Sequence, residues 1–144
     1  MTKAAKNPAR ILIVEDSEME IWLLQQALDQ TGEETVVEAL RDGEEALQFV
    51  RDQRRLDAEP HPCVIVLDLH LPKYDGAAVL RAIRGEPELS HVHVVVVTTL
   101  ASPKDEAEVR RLGVSLYRTK PKVLADYNVL AQEILEVCRD SMIA

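Results

Sequence analysis

The chain has 144 residues, of which 47% are apolar, so it is long enough to bury the core of one domain. Acidic residues outnumber basic ones by 25 to 17 and aromatic residues make up 3%, which argues against nucleic-acid binding. No apolar run is long enough to cross a bilayer, and the polar segment 1–10 does not resemble a secretory signal. The two cysteines, Cys63 and Cys138, are interpreted as separate core hydrophobes, so we expect a cytoplasmic protein.

Short apolar runs alternate with amphipathic segments along the chain. Branched apolar residues predict strands at 11–14, 35–39, 63–67, 92–97 and 115–117. The intervening and following helices are predicted to begin near Glu18, after Asp42-Gly43, after the turn 73–76, at Pro103 and near Val123, and the last of them is expected to end at Arg139. Ser17 with Glu20 fits a capping box, and Ser102 fits an N-cap. This alternation predicts a parallel sheet covered by helices on both sides.

Polar residues follow four of the five predicted strands. Glu15-Asp16 follows the first strand, Asp68 the third, Thr98 the fourth and Lys120 the fifth. Because ligands of such sheets bind at the carboxyl ends of the strands, we expect these side chains to meet. Three carboxylates favour a hard cation such as Mg²⁺, and a lysine opposite them favours a phosphoryl group. An aspartate can also act as a nucleophile and form an aspartyl phosphate.

Five motifs carry a resemblance to a known family. They are Glu15-Asp16, the run 66–72, Asp75-Gly76, Thr98 and Lys120-Pro121. Their order and spacing, with 98 − 68 = 30 and 120 − 98 = 22, resemble the response-regulator receiver domain of the chemotaxis-regulator type. The resemblance implies a flavodoxin-like, doubly wound α/β fold with a five-stranded parallel sheet in the order 2-1-3-4-5 and five helices. It also implies an N-terminal arm over 1–9, a stand-alone receiver domain over 10–140 and a tail over 141–144.

The same resemblance implies the roles of the site residues. Asp68 would be the phosphoacceptor, and Asp16 and Asp68 would bind Mg²⁺ directly. The backbone carbonyl of His70 would complete the protein ligands, and Glu15 would act directly or through water. Lys120 and Thr98 would contact phosphoryl oxygens. Such a domain is a signalling module rather than an enzyme, since it catalyses only its own phosphorylation and dephosphorylation.

Four further residues have implied roles in switching and persistence. Tyr117 would change rotamer together with Thr98, and the peptide bond before Pro121 is a candidate for the cis form. His70 and Leu100, each two residues after a site residue, are predicted to control dephosphorylation. We expect the apolar Leu100 to shield the phosphoryl group from water, so that it persists.

Further short sequence similarities predict the partners of the chain. The loop 52–62, the run 69–73 and the pair Thr98-Thr99 look like the small regulators paired with bacterial phytochrome kinases. The donor would be a sensor histidine kinase, such as a bacteriophytochrome, or a phosphotransfer protein. Trp22 is predicted to point away from the buried face of the first helix and to dock the donor.

Assembly is predicted from the last helix, which carries two apolar stripes. A second stripe beside its core face predicts a homodimer through the fourth helix, fifth strand and last helix, unless that helix is deeply wrapped by its own chain. The stripe consists of Leu124, Ala131, Leu135, Cys138 and Met142.

Other classes of protein share parts of this pattern. A phosphohydrolase of the haloacid-dehalogenase kind also uses an aspartyl phosphate, but it requires a second aspartate where this chain has His70. A flavodoxin-like FMN carrier has the same sheet order, but Glu15-Asp16 would repel the FMN phosphate. A receiver-like scaffold without chemistry is a third alternative, and the intact acidic set with Thr98 and Lys120 argues against it.

Overall fold

The computed structural model describes residues 8–55, 60–99 and 102–143, with side chains described as far as residue 140. The strands are β1 (Ala9–Val14), β2 (Thr35–Leu40), β3 (Val64–Leu67), β4 (His93–Thr98) and β5 (Leu116–Thr119). The helices are α1 (Glu18–Gln30), α2 (Gly43–Asp52), α3 (Gly76–Arg84), α4 (Pro103–Arg111) and α5 (Leu124–Ile143). The strands pair in parallel in the order β2-β1-β3-β4-β5, which confirms the predicted topology.

The central strands are apolar on both faces because helices cover both sides of the sheet. Ile11 and Ile13 of β1 pack with the apolar faces of α1 and α5, whereas Leu12 and Val14 pack on the side of α2, α3 and α4. Successive side chains of a strand point to opposite faces, so an uninterrupted apolar run supplies both core layers.

Four of the helices follow loops at the carboxyl ends of strands, and each has a side-chain cap. Ser17, Asp42, Asp75 and Ser102 accept hydrogen bonds from backbone N–H groups in the first turns of α1 to α4. Such caps satisfy N–H groups that have no partner within the helix. They fix the loops at the edge of the sheet where the predicted site residues lie.

The last helix differs from its prediction in length and in burial. It runs to Ile143, beyond the expected end at Arg139, because no proline or glycine interrupts it. Ala131, Leu135 and Cys138 are completely buried in the core of their own chain, while Leu124 is 69% exposed. The second apolar stripe is therefore mostly core, because α5 packs against both α1 and the sheet. Over the residues described, no helix is both long and apolar enough to cross a membrane.

The sequence predicted two separate core cysteines, and the structure pairs them instead. Cys63, just before β3, and Cys138 of α5 form a disulfide, with Cα atoms 5.3 Å apart. They are separated by 75 positions in the sequence, and only the packing of α5 on the sheet brings them together.

Candidate functional site

Asp68 and Lys120 meet at the carboxyl edge of the sheet. Asp68 follows β3 and is 4% exposed, and its backbone N–H donates to the carbonyl of Val14. Lys120 follows β5, and its backbone N–H donates to the carbonyl of Thr98. The ammonium Nζ of Lys120 lies 3.0 Å from Oδ2 of Asp68. Ladder hydrogen bonds thus hold both residues at the strand ends that the sequence predicts.

Glu15, Asp16 and Asp68 form an acidic cluster. One carboxylate oxygen from each lies within 4.8 Å of the others, and within the described part of the chain this is the one group of three with metal-ligand spacing. Glu15 and Asp68 are buried, and Asp16 is exposed at the mouth of the site. Burial raises the pKa of Glu15 to about 7, although hydrogen bonds from Lys120 and from the Ser17 N–H act in the opposite direction. The cluster therefore concentrates negative charge that a cation would stabilise.

Lys120 is surrounded by carboxylates. Its Nζ lies 2.8 Å from Glu15, 2.8 Å from Glu20 and 3.0 Å from Asp68. Burial by itself would lower the pKa of Lys120, but the hydrogen bonds to these three carboxylates raise it above its usual range. The lysine is therefore a fixed positive charge. The contact with Glu20 is the site contact that the sequence reasoning missed.

Thr98 has a buried hydroxyl in need of a partner. Among the residues the structure describes, Oγ1 of Thr98, which is fully buried, has no hydrogen-bond partner, whereas the buried hydroxyl of Tyr117 lies near the backbone N–H of Ser102. Burial, together with the negative charges of Asp105 and Glu106, raises the pKa of Tyr117 above its usual value. A buried hydroxyl without a partner costs free energy, so its retention suggests a ligand or a second conformation.

The loop between β3 and α3 contacts the side chain of Asp68. The backbone N–H of His70 donates to Oδ1 of Asp68 over 3.0 Å, and the His70 side chain is exposed. The N–H of Gly43 donates to the carbonyl of Pro72, which ties this loop to the start of α2. Lys73 has a positive φ of 72° and an ion pair with Glu44 at 2.9 Å.

The peptide bond before Pro121 has the trans form. The structure contains no cis peptide bond in the described ranges, so the prediction of a cis bond before Pro121 is wrong. The trans form is the intrinsically favoured one, and it is compatible here with the hydrogen bond of the Lys120 N–H. Leu100 lies outside the described residues, and its role as a shield remains a prediction.

The donor set suits a hard divalent cation. Carboxylate oxygens are the ligands that Mg²⁺ and Mn²⁺ prefer, and the exposed position of Asp16 leaves room for water ligands. The residues present therefore fit a divalent metal with few protein ligands.

One known protein family matches most of this chain. Residues 11–131 match the family model of the response regulator receiver domain, and the chain belongs to that family. Members of this family take phosphoryl groups from histidine kinases.

Two relatives, Rcp1 and RcpA, are similar to this chain over most of its length. The chain is 37% identical to the response regulator Rcp1 of Synechocystis sp. over 134 residues, 93% of this chain and 91% of Rcp1. The crystal structure of the phosphorylated cyanobacterial phytochrome response regulator RcpA is similar, with a TM-score of 0.81, 34% identity and coverage of 90% of this chain and 93% of RcpA. The Mn²⁺-bound crystal structure of Rcp1 has a TM-score of 0.78, 38% identity and coverage of 88% of this chain and 91% of Rcp1.

Proposed function

We propose that Asp68 accepts a phosphoryl group from the phosphohistidine of a sensor histidine kinase. The observation that carries the proposal is the placement of one nucleophilic carboxylate, Asp68, beside the carboxylates of Glu15 and Asp16 and within 3.0 Å of the ammonium of Lys120. An isolated carboxylate at a strand end is commonplace, but this combination supplies a nucleophile and charge stabilisation together. Small phosphodonors such as acetyl phosphate would serve as well, with the chain catalysing its own labelling.

In the transfer step, a carboxylate oxygen of Asp68 forms a bond to phosphorus. The phosphorus–nitrogen bond of the donor breaks, and the departing imidazole nitrogen takes up a proton. Lys120 donates a hydrogen bond to one phosphoryl oxygen, and the Thr98 hydroxyl donates to another. Asp16, Asp68 and the backbone carbonyl of His70 would hold Mg²⁺, with Glu15 bound directly or through water. When bound, the Mg²⁺ ion would neutralise negative charge on the transferring phosphoryl group.

The proposed donor is a kinase of the phytochrome type or a phosphotransfer protein. The similarity to RcpA supports this choice, because RcpA is a phytochrome response regulator. Trp22 and Met19 of α1 are 55% and 66% exposed, so they offer an apolar anchor for a partner. We place the exchange in the cytosol, which supplies ATP to such a kinase.

The output is proposed to pass through the face formed by α4, β5 and α5. Engagement of Thr98 by the phosphoryl group would allow Tyr117 to change its rotamer at this face. Dimerisation there has less support than the sequence suggested, because most of the second stripe of α5 is core. What remains is the exposed Leu124 of that stripe, together with the exposed Val129 of α5 and the ion pair between Arg118 of β5 and Glu133. Sedimentation with and without phosphorylation tests this part of the proposal.

The acceptor assignment is tested with Asp68→Asn and a matched control, Asp29→Asn, which removes an exposed carboxylate from α1. With acetyl phosphate and Mg²⁺, the native protein and Asp29→Asn should form an acid-stable, hydroxylamine-sensitive phosphoprotein. Asp68→Asn should not be labelled, while its circular dichroism spectrum remains that of the native protein. Full labelling of Asp68→Asn would refute the assignment.

A further inference from the structure

The ammonium of Lys120 has three N–H donors and three carboxylate neighbours. Oε1 of Glu15 and Oε1 of Glu20 both lie 2.8 Å from Nζ, and Oδ2 of Asp68 lies 3.0 Å from it. The lysine side chain is 15% exposed, so water replaces few of these contacts. Two donors thus lead to glutamates, and the third leads to Asp68.

Glu20 is available for this contact because a neighbouring residue takes its usual place. In a capping box, the glutamate side chain returns to the N–H of the N-cap residue. Here the N–H of Ser17 donates instead to Oε2 of Glu15, while Ser17 Oγ accepts the N–H of Glu20. Only half of the capping box is formed, and the carboxylate of Glu20 reaches Lys120.

The two glutamates are not equivalent once a cation is present. Glu15 belongs to the acidic cluster with Asp16 and Asp68, so a bound cation competes with Lys120 for its oxygens. Glu20 is not part of that cluster. Its contact with Lys120 is therefore not exposed to that competition. When Asp68 is phosphorylated, its carboxylate loses its charge, and the third donor of Lys120 passes to a phosphoryl oxygen.

We propose that Glu20 is a positioning residue for phosphorylation: it anchors the ammonium of Lys120 so that one N–H points to the phosphoryl group on Asp68. The inference rests on the proposed role of Asp68 as the acceptor. Glu20 acts through Lys120 and contacts neither the cation nor the phosphoryl group. Its effect is expected in the rate of the chemical step, because misplaced donors stabilise the transition state poorly.

The test compares Glu20→Ala with Glu18→Ala. Glu18 lies in the same turn of α1 and carries the same charge, but its carboxylate pairs with Arg41 rather than Lys120. At saturating Mg²⁺, Glu20→Ala should reduce the maximal rate of labelling by acetyl phosphate by about tenfold. Glu18→Ala should stay within about twofold of the native rate. Glu20→Gln should recover part of the loss, since its amide oxygen still accepts a hydrogen bond.

Two further measurements separate positioning from a general structural role. Calorimetric titration should give the same Mg²⁺ affinity for Glu20→Ala and Glu18→Ala. In a Lys120→Ala background, Glu20→Ala should have no additional effect on the labelling rate. Equal rates for the two alanine variants, a loss explained by weaker Mg²⁺ binding, or an undiminished effect without Lys120 would overturn the inference. Failure of Asp68 to be labelled in the native protein would instead refute the proposed function.

Discussion

Gly76, the first residue of α3, lies directly against the backbone carbonyl of Asp68, and this contact leaves no room for a side chain. A Cβ atom on Gly76 would fall 2.5 Å from Cα of Leu69 and closer still to the Asp68 carbonyl oxygen. Both are backbone atoms, which cannot turn aside as a side chain can. The start of α3 and the acceptor are therefore fixed against each other.

Gly76→Ala should destabilise the fold by about 1–3 kcal/mol and slow the labelling of Asp68, because the acceptor loop must shift. Gly85→Ala is the matched control. A Cβ at Gly85 would lie 3.4 Å from the carbonyl oxygen of Arg81, so that variant should change stability by less than about 1 kcal/mol. Urea denaturation measures both effects, and equal midpoints for the two variants would contradict the prediction.

Thr98→Val should leave the unmodified protein as stable as the native one, or slightly more stable. The substitution removes a buried hydroxyl that has no hydrogen-bond partner among the described residues and replaces it with a methyl group of similar size. Labelling of Asp68 should nevertheless slow by about tenfold, since a phosphoryl oxygen loses its hydrogen bond. Thr99→Val, at the neighbouring exposed position, should affect neither property. A clear loss of folding stability in Thr98→Val would show that the hydroxyl has another partner.

The metal-free protein should lose stability as the pH rises between about 4.5 and 7. Burial raises the pKa of Glu15 from 4.5 to about 7, so in this window the folded chain holds a proton that the unfolded chain has released. The contribution of Glu15 to the free energy of unfolding is thus greatest below pH 4.5 and is lost above pH 7. Urea denaturation in EDTA at several pH values measures the trend. Glu15→Gln should flatten it, and an unchanged trend in that variant would assign it to other groups.

Reduction of the disulfide between Cys63 and Cys138 should destabilise the isolated protein by up to about 4 kcal/mol. The two cysteines are 75 positions apart in the sequence. Without the bond the unfolded chain gains conformational entropy, and this gain favours unfolding. Unfolding with and without a phosphine reductant measures the difference. A double variant, Cys63→Ala with Cys138→Ala, should be insensitive to the reductant. Equal stability of the oxidised and reduced native protein would contradict this prediction.

Trp22→Ala should reduce phosphotransfer from the cognate kinase by about tenfold and leave labelling by acetyl phosphate unchanged. The indole is 55% exposed, so its removal should cost little folding stability. Val36→Ala, which shortens an exposed apolar side chain on β2, is the control and should affect neither reaction. An unchanged rate from the kinase would remove Trp22 from the docking surface.

The amino-acid sequence by itself determined the fold and which polar residues meet at one edge of the sheet. Apolar runs of strand length alternating with helical patterns specify a parallel sheet, and all its strands end at one edge. Residues far apart in the chain, such as Glu15, Asp68 and Lys120, must then meet. The register of this sheet leaves little freedom in where they lie.

Only the tertiary structure decided which of several possible partners each side chain takes. Glu20 fits a capping box equally well in the sequence, but in space Glu15 occupies the Ser17 N–H and Lys120 attracts the remaining carboxylate. The depth at which α5 packs decided that Leu135 is core rather than interface, and it brought Cys138 to Cys63. Periodicity specifies a face of a helix but not how much of that face neighbouring elements cover, because burial depends on packing between segments distant in sequence.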